Sequence, residues 1–217
     1  QLRMGSAGRA DAVSAAWWEA CRRASMRSDV ACGCSHRFAA AAAVALVVDP
    51  QSARYVNDKN PLVAQINQAT RNKLNRLGAP FEVLSFNDLA RANLAQYRLL
   101  VMPGLFLVTP ERREMLNKHV FNNDRSVLFV HAAGICDGKT LDVNRVKELT
   151  GAAYNTPGVT TTQRDGWQSV YVSKYDDLTP AVLREAAVAS GVTIYCDDAV
   201  PVYANERLVA IHMAAGG

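Results

Sequence analysis

The sequence contains no apolar run of the ~18 residues that a membrane-spanning helix needs, which argues against an integral membrane protein. It also lacks the cysteine pattern of a disulfide framework, because its five cysteines are odd in number and without framework spacing. Unpaired thiols favour a reducing compartment, so the predicted location leans towards the cytoplasm. With 49% hydrophobic and 20% charged residues, the chain has enough apolar material for a core of its own.

A strongly basic surface is missing from most of the chain. The net charge of +4 comes mainly from residues 1–43, which hold six arginines against three acidic residues. Residues 44–217 are nearly neutral, with eighteen basic and seventeen acidic residues, so we predict no nucleic-acid partner. Residues 1–43 also hold thirteen alanines and show no convincing helical period. We interpret them as a tail that is poorly ordered or foreign to the domain.

The common motifs of cofactor and metal sites are absent as well. The sequence has no G-x-G-x-x-G, P-loop, H-E-x-x-H or paired-carboxylate pattern. Residues 32–36 (CGCSH) come nearest to a zinc motif, but one residue separates the cysteines and no second ligand pair accompanies them. We therefore predict neither a metal nor a cofactor.

From residue 44 onward, strand-like and helix-like segments alternate. Val44–Val48 is a continuous apolar run of the length of a strand that is buried on both faces, and residues 61–77 then carry an apolar helical stripe. Further strands are predicted at Phe81–Phe86, Leu99–Met102, Ser126–Val130, in a hairpin within 157–175, and at Val192–Cys196, Val200–Tyr203 and Leu208–His212. This alternation predicts an α/β fold over residues 44–217, a doubly wound and mostly parallel sheet in a flavodoxin-like three-layer sandwich.

Ligands of such sheets bind outside the carboxyl ends of the strands. Asp49, Gly104, His131 and Gly134 all follow predicted strands and are therefore candidates for a ligand crevice. Each also has a plainer interpretation, since Asp before Pro ends a strand, glycines make turns, and a histidine at a strand end is commonly a satisfied polar group. A small-molecule binding module built on this crevice is one hypothesis for function.

Residues 134–138 (GICDG) directly follow a predicted strand, and G-x-C-x-G between a strand and a helix is the pattern of a nucleophile elbow. A catalytic thiol at Cys136 would also need a base. His212 is the one late histidine, but Met213 and Ala214 follow it where amidotransferases have His-x-Glu, and Asp137 disfavours the thiolate. A cysteine-dependent hydrolase or amidotransferase using Cys136 and His212 is therefore an alternative, and a glycine-rich turn with an incidental cysteine is favoured.

Trp167 follows the turn signal Asp165-Gly166, so we expect it at an exposed hairpin tip. Large aromatic residues in such places anchor interfaces. Trp167 is thus the interface candidate, with packing over the end of the sheet as the alternative.

Several stretches resemble one known family. They are VALVVDPQS at 44–52, LGAPFEVLSF at 77–86, YRLLVMP at 97–103, the strand at 127–133, VNRVKELTG at 143–151, and the terminal strands from Gly191. Together they resemble the amidotransferase-like middle domain of β-galactosidase-type glycoside hydrolases, called the trimerisation domain in family 42. That domain is a member of the class I glutamine amidotransferase-like superfamily, and the resemblance covers about residues 44–215.

The resemblance implies a non-catalytic, ancillary domain. In this family the domain follows a catalytic (β/α)8 barrel, which carries the catalytic carboxylates. The expected partners are therefore a barrel of the same longer chain and further copies in a homo-oligomer. The expected role is to take part in subunit association and to form part of the wall of the sugar site in a neighbouring barrel. Cys136 departs from the family pattern, and this keeps the enzyme alternative open.

Overall fold

A computed structural model describes residues 42–56, 60–204 and 208–213. The predictions made for the first 41 residues, including the tail and the CGCSH cluster, lie outside these ranges. None of the helices in the described ranges combines the length and the hydropathy needed to cross a membrane.

Six strands form the central sheet. They are β1 (Val44–Val48), β2 (Phe81–Ser85), β3 (Leu99–Met102), β4 (Arg125–Val130), β5 (Val159–Arg164) and β6 (Trp167–Val172). Their order is β2-β1-β3-β4-β6-β5, and all neighbours are parallel except the antiparallel pair β5 and β6. The order begins as in flavodoxin-like sheets. The predicted fold class is confirmed.

Six α-helices in the described ranges flank the sheet. They are α1 (Pro50–Ala53), α2 (Leu62–Ala64), α3 (Thr70–Leu74), α4 (Pro110–His119), α5 (Asn144–Thr150) and α6 (Pro180–Ala189). A π-helical segment, Gln65–Ala69, joins α2 to α3, where one regular helix was expected. Just after this segment, Thr70 Oγ1 donates to the carbonyl of Gln65, five residues earlier, at 2.8 Å. Thr109 and Thr179 cap α4 and α6 through their hydroxyls, and each is followed by proline at the first helical position.

The sheet is buried on both faces, which makes three layers. On one face Leu74 of α3 and Leu183 of α6 pack in the cluster that contains Leu46. On the other face Leu116 of α4 and Val146 of α5 pack against a second cluster. Because helices cover both faces of the sheet, a central strand such as β3 is buried at all four positions and is apolar throughout.

The end of the chain departs from the prediction. The strand expected at Val192–Cys196 is irregular, because the N–H groups of Tyr195 and Cys196 both donate to the carbonyl of Gly78, at 2.8 and 3.3 Å. Because both N–H groups donate to one carbonyl, the segment lies beside the loop before β2 but does not form the regular hydrogen-bond pattern of a strand pair. The next two strands, β7 (Val202–Ala204) and β8 (Val209–Ile211), pair with each other outside the main sheet.

The predicted exposure of Trp167 is wrong. Trp167 opens β6 and is only 7% exposed, because its side chain points to the face that α4 covers. It stacks on Phe121, and Phe129 meets it edge-on at 6.3 Å. The residues at the exposed tip are Asp165 and Gly166, and Trp167 is a core residue rather than an interface anchor.

Candidate functional site

A crevice is expected between β1 and β3. The connection that leaves β1 covers one face of the sheet through α3, and the connection that leaves β3 covers the other face through α4. Because these two connections go to opposite faces of the sheet, a gap opens between them at the carboxyl edge. This position is called the switch point, and doubly wound sheets bind their ligands there. Asp49 lies at this point, immediately after β1.

An ion pair crosses the switch point. Asp49 Oδ2 lies 2.6 Å from Arg112 Nη2 in the first turn of α4 and also accepts the hydroxyl of Ser52. The other oxygen, Oδ1, accepts the N–H of Gln51 at 3.1 Å. Ser52 Oγ in turn accepts the N–H of Leu107, beyond β3, at 2.8 Å. Asp49, which we expected to meet a ligand, is thus buried and joins the ends of β1 and β3.

Arg112 stands at the wall of an open cleft. Its guanidinium lies 3.8 Å from the ring centroid of Phe86, a cation–π contact. Its Nε and Nη1 are buried and have no hydrogen-bond partner in the described ranges. The cleft measures about 210 Å³ and is lined by Gln51, Phe86, Asn87, Ala90, Glu111, Arg112 and Met115. No local sequence pattern marks Arg112, because its partner Asp49 is 63 residues away.

Gly104 and Gly134 are closed off from solvent. A Cβ on Gly104 would lie 2.8 Å from Cγ2 of Ile66, so the π-helical segment covers the position. A Cβ on Gly134, which has φ of 72°, would lie 2.8 Å from Cδ2 of Leu149 in α5. Both glycines allow helices to approach the strand ends closely, and neither borders the cleft at Arg112.

His131 occupies the sharp turn after β4. It is the first residue after the strand and has φ of 59°, which is uncommon for a residue other than glycine. Its Nδ1 lies 3.3 Å from the carbonyl of Ser173, and its ring centroid lies 5.6 Å from that of Tyr154 and 6.0 Å from that of Tyr175. Burial lowers the pKa of His131, and the hydrogen bond to Ser173 opposes this shift. The ring is held by the protein and is separate from the Arg112 cleft.

The position of His131 corrects the elbow prediction. In a nucleophile elbow the reactive residue itself makes the strained turn at the end of the strand. That residue is His131, and Cys136 comes five positions later in an extended segment. The N–H of Cys136 donates to Phe106 at 3.0 Å, and its carbonyl accepts Val108 at 2.8 Å. The next helix, α5, begins only at Asn144, so no helix N-terminus follows the turn directly.

The structure does not bring the two residues of the cysteine hypothesis into contact. Cys136 is 3% exposed, and its Sγ accepts the N–H of Gly138 at 3.3 Å. His212 is exposed beyond β8, where its N–H donates to the carbonyl of Pro201. No hydrogen bond between Cys136 and His212 is present in the described part of the chain. Within the same ranges, no group of three His, Cys, Asp or Glu residues could hold a metal ion.

Similarity to known proteins is found at the level of structure. No protein-family model matches the sequence, and no curated protein does so either. The β-galactosidase from Bacillus circulans sp. alkalophilus superposes with a TM-score of 0.60 at 15% identity, over 76% of this chain and 34% of that one. The β-galactosidase from the haloarchaeon Halorubrum lacusprofundi gives 0.59 at 19% identity, over 82% and 34%. Gan42B, a GH42 β-galactosidase from G. stearothermophilus, gives 0.54 at 16% identity, over 76% and 33%.

These matches concern one part of each enzyme. The chain spans about a third of the length of the β-galactosidases that it matches. At identities below 20% the likeness establishes a shared fold and not a shared activity. The resemblance that the sequence indicates is therefore confirmed at the level of the fold. This chain has the α/β fold of a domain-sized part of GH42 β-galactosidases.

Proposed function

We propose that this chain is a non-catalytic domain of a β-galactosidase-type glycoside hydrolase. It joins a catalytic barrel of the same longer chain, takes part in subunit association, and walls the sugar site of a neighbouring barrel. The observation that carries this proposal is the extent of the structural matches. They take in 76–82% of this chain and only about a third of each enzyme, and they recur in β-galactosidases from a bacillus and a haloarchaeon.

The state of two carboxylates near the strand ends, Asp49 and Asp137, supports a non-catalytic role. Glycoside hydrolysis needs two carboxyl groups, one of which stays protonated to act as the acid. Asp49 is ion-paired with Arg112, and Asp137 lies 2.7 Å from Arg145. The N–H groups of Thr140 and Lys139 lower the pKa of Asp137 to about 2, with a smaller contribution from Arg145. A carboxylate held ionised in this way cannot donate a proton at neutral pH.

A surface for association is available at the hairpin β7–β8. Tyr203 and Met213 are 64% and 51% exposed, and Val209 and Ile211 are also exposed. Exposed apolar side chains grouped on one element are typical of a surface that meets another domain or subunit. We assign this hairpin to the contact with the catalytic domain of the same chain.

The test is to sequence the transcript on both sides of this segment and to assay the encoded protein. We expect an upstream barrel with two catalytic carboxylates, and hydrolysis of a nitrophenyl β-galactoside by the complete product. The chain by itself should not hydrolyse this substrate. A reading frame without a barrel, or hydrolysis by the chain alone that is lost in Asp137→Asn, would contradict the proposal.

The assignment of the hairpin has its own test. In the complete product, Ile211→Asp should weaken the contact between this domain and the catalytic domain, and limited proteolysis should then separate the two domains faster. Val188→Asp is the matched control, because Val188 is 58% exposed on α6, away from the hairpin. An equal effect of the two variants, or no effect of Ile211→Asp, would contradict the assignment of β7–β8.

A further inference from the structure

The cleft beside Arg112 has the position and size of a small ligand site. It lies at the switch point between β1 and β3, which is the usual binding position in this fold class. Its volume of about 210 Å³ is below the roughly 300–1,000 Å³ of pockets that hold drug-sized ligands. A ligand with a single ring is therefore the largest that the cleft would enclose.

The charges at the cleft disfavour an anion. Arg112 is neutralised by Asp49 at 2.6 Å. Glu111, at the rim, accepts the hydroxyl of Thr109 at 2.7 Å, and this hydrogen bond lowers the pKa of Glu111, so the carboxylate is ionised at neutral pH. The three groups together carry one negative charge. Because Asp49 already pairs with Arg112 and Glu111 adds a negative charge, a phosphate or a carboxylate finds no free cation among these three groups.

The polar groups of the wall match hydroxyl groups. Gln51 and Asn87 are exposed, and in the described residues their side-chain amides have no hydrogen-bond partner. An amide offers both donors and an acceptor, as a pair of neighbouring hydroxyls requires.

An apolar surface completes the lining. Ala90 and Met115 also border the cleft, and Met115 is half-buried against the core. A polar rim beside an apolar floor suits a ring that carries hydroxyls at its edge and C–H groups on its face. Flexible methionine adapts to such a face without strict shape requirements.

We propose that the cleft binds a neutral polyhydroxyl molecule of monosaccharide size. The amides of Gln51 and Asn87 and the carboxylate of Glu111 hold its hydroxyls, and Met115 packs against its carbon face. This site does not depend on the proposed role in a glycoside hydrolase. It would serve such a role if the polyol were the sugar released or bound nearby, and it would equally serve a free-standing binding module.

The experiment is an NMR titration of the ¹⁵N-labelled chain, followed through the side-chain amide signals of Gln51 and Asn87. The probes are methyl β-galactopyranoside, myo-inositol and inorganic phosphate. We expect saturable shifts of these signals with one or both polyols at millimolar concentrations, and none with phosphate. Saturation by phosphate alone would overturn the neutral ligand class. The absence of saturation with either polyol, up to its solubility limit, would overturn the site.

Substitutions locate the binding. Asn87→Ala and Gln51→Ala should each weaken polyol binding about threefold to tenfold, the loss expected for one hydrogen bond. Asn117→Ala is the matched control, because Asn117 is exposed on α4 and does not line the cleft. Circular dichroism checks that each variant is folded. Equal binding by the two cleft variants and the parent chain would overturn the location, whatever the result for the glycoside hydrolase proposal.

Discussion

Trp167 and Phe121 stack with their ring centroids 4.1 Å apart and their planes 8° from parallel. Phe129 of β4 closes the group, with its ring at 80° to the indole. The stack joins the first residue of β6 to the segment just after α4. Aromatic pairs in offset-stacked or edge-to-face contact add to the stability that burial provides.

Trp167→Ala should lower the free energy of unfolding by about 3–5 kcal/mol, because it removes the central ring and leaves a cavity under α4. Urea unfolding followed by far-UV circular dichroism measures the change. Tyr203→Ala is the control, since Tyr203 is 64% exposed, and it should change stability by less than about 0.5 kcal/mol. A small effect of Trp167→Ala with altered association would restore the interface interpretation.

Gly104→Ala should destabilise the chain by about 1–3 kcal/mol, because the new methyl group meets Ile66 Cγ2 at 2.8 Å. The expected destabilisation is steric, and it comes from the side chain of Ile66 alone. In an Ile66→Ala background the same change should therefore cost clearly less, and a double-mutant cycle measures the difference. An unchanged cost in that background would show that Ile66 is not what excludes a side chain at this position.

The Asp137 carboxylate should contribute to stability at neutral pH and lose that contribution in acid. Its pKa in the folded chain is lowered to about 2, first by the N–H groups of Thr140 and Lys139, whereas an unfolded aspartate titrates near ~3.9. A lowered folded-state pKa gives stability that is complete above the unfolded value and disappears as the pH falls through the folded one. The destabilisation by Asp137→Asn should therefore shrink between about pH 4 and pH 2.

Urea unfolding at a series of pH values measures this change. Asp165→Asn serves as the control, because Asp165 lies in the exposed turn between β5 and β6. Its effect should be small at neutral pH. A difference between Asp137→Asn and the parent chain that stays constant down to pH 2 would mean that the carboxylate charge is not the stabilising feature.

Cys136 should react slowly with iodoacetamide in the native chain, because it is 3% exposed and both its backbone groups are held by the segment after β3. Cys196 is partly exposed and should react faster. Peptide mapping by mass spectrometry resolves the two sites, and the difference should vanish in urea. Fast labelling of Cys136 at pH 6 that is lost in His212→Ala would instead favour the cysteine-enzyme alternative.

Local chemistry alone predicted much of the fold. Apolar runs such as Val44–Val48 and Leu99–Met102 became buried parallel strands with the expected bounds. Thr109-Pro110 begins a helix, and Gly151, with φ of 86°, ends another, as the capping preferences of these residue types favour. Each of these features depends on backbone preferences within a few residues, on hydrogen bonds to the nearest N–H groups, or on periodicity. For that reason the amino-acid order is sufficient to predict them.

Tertiary structure alone decided the chemistry of the carboxyl edge. Arg112 meets Asp49 across 63 residues, and His131, not Cys136, takes the strained turn after β4. Trp167 entered the core because the register of β6 on β4 turns it towards α4. Arg125, which begins β4, is buried and donates to the carbonyls of Leu94, Tyr97 and Val120. These outcomes depend on contacts between side chains that are far apart in the sequence. Such contacts form only when the elements pack together, so the local sequence around each residue does not predict them.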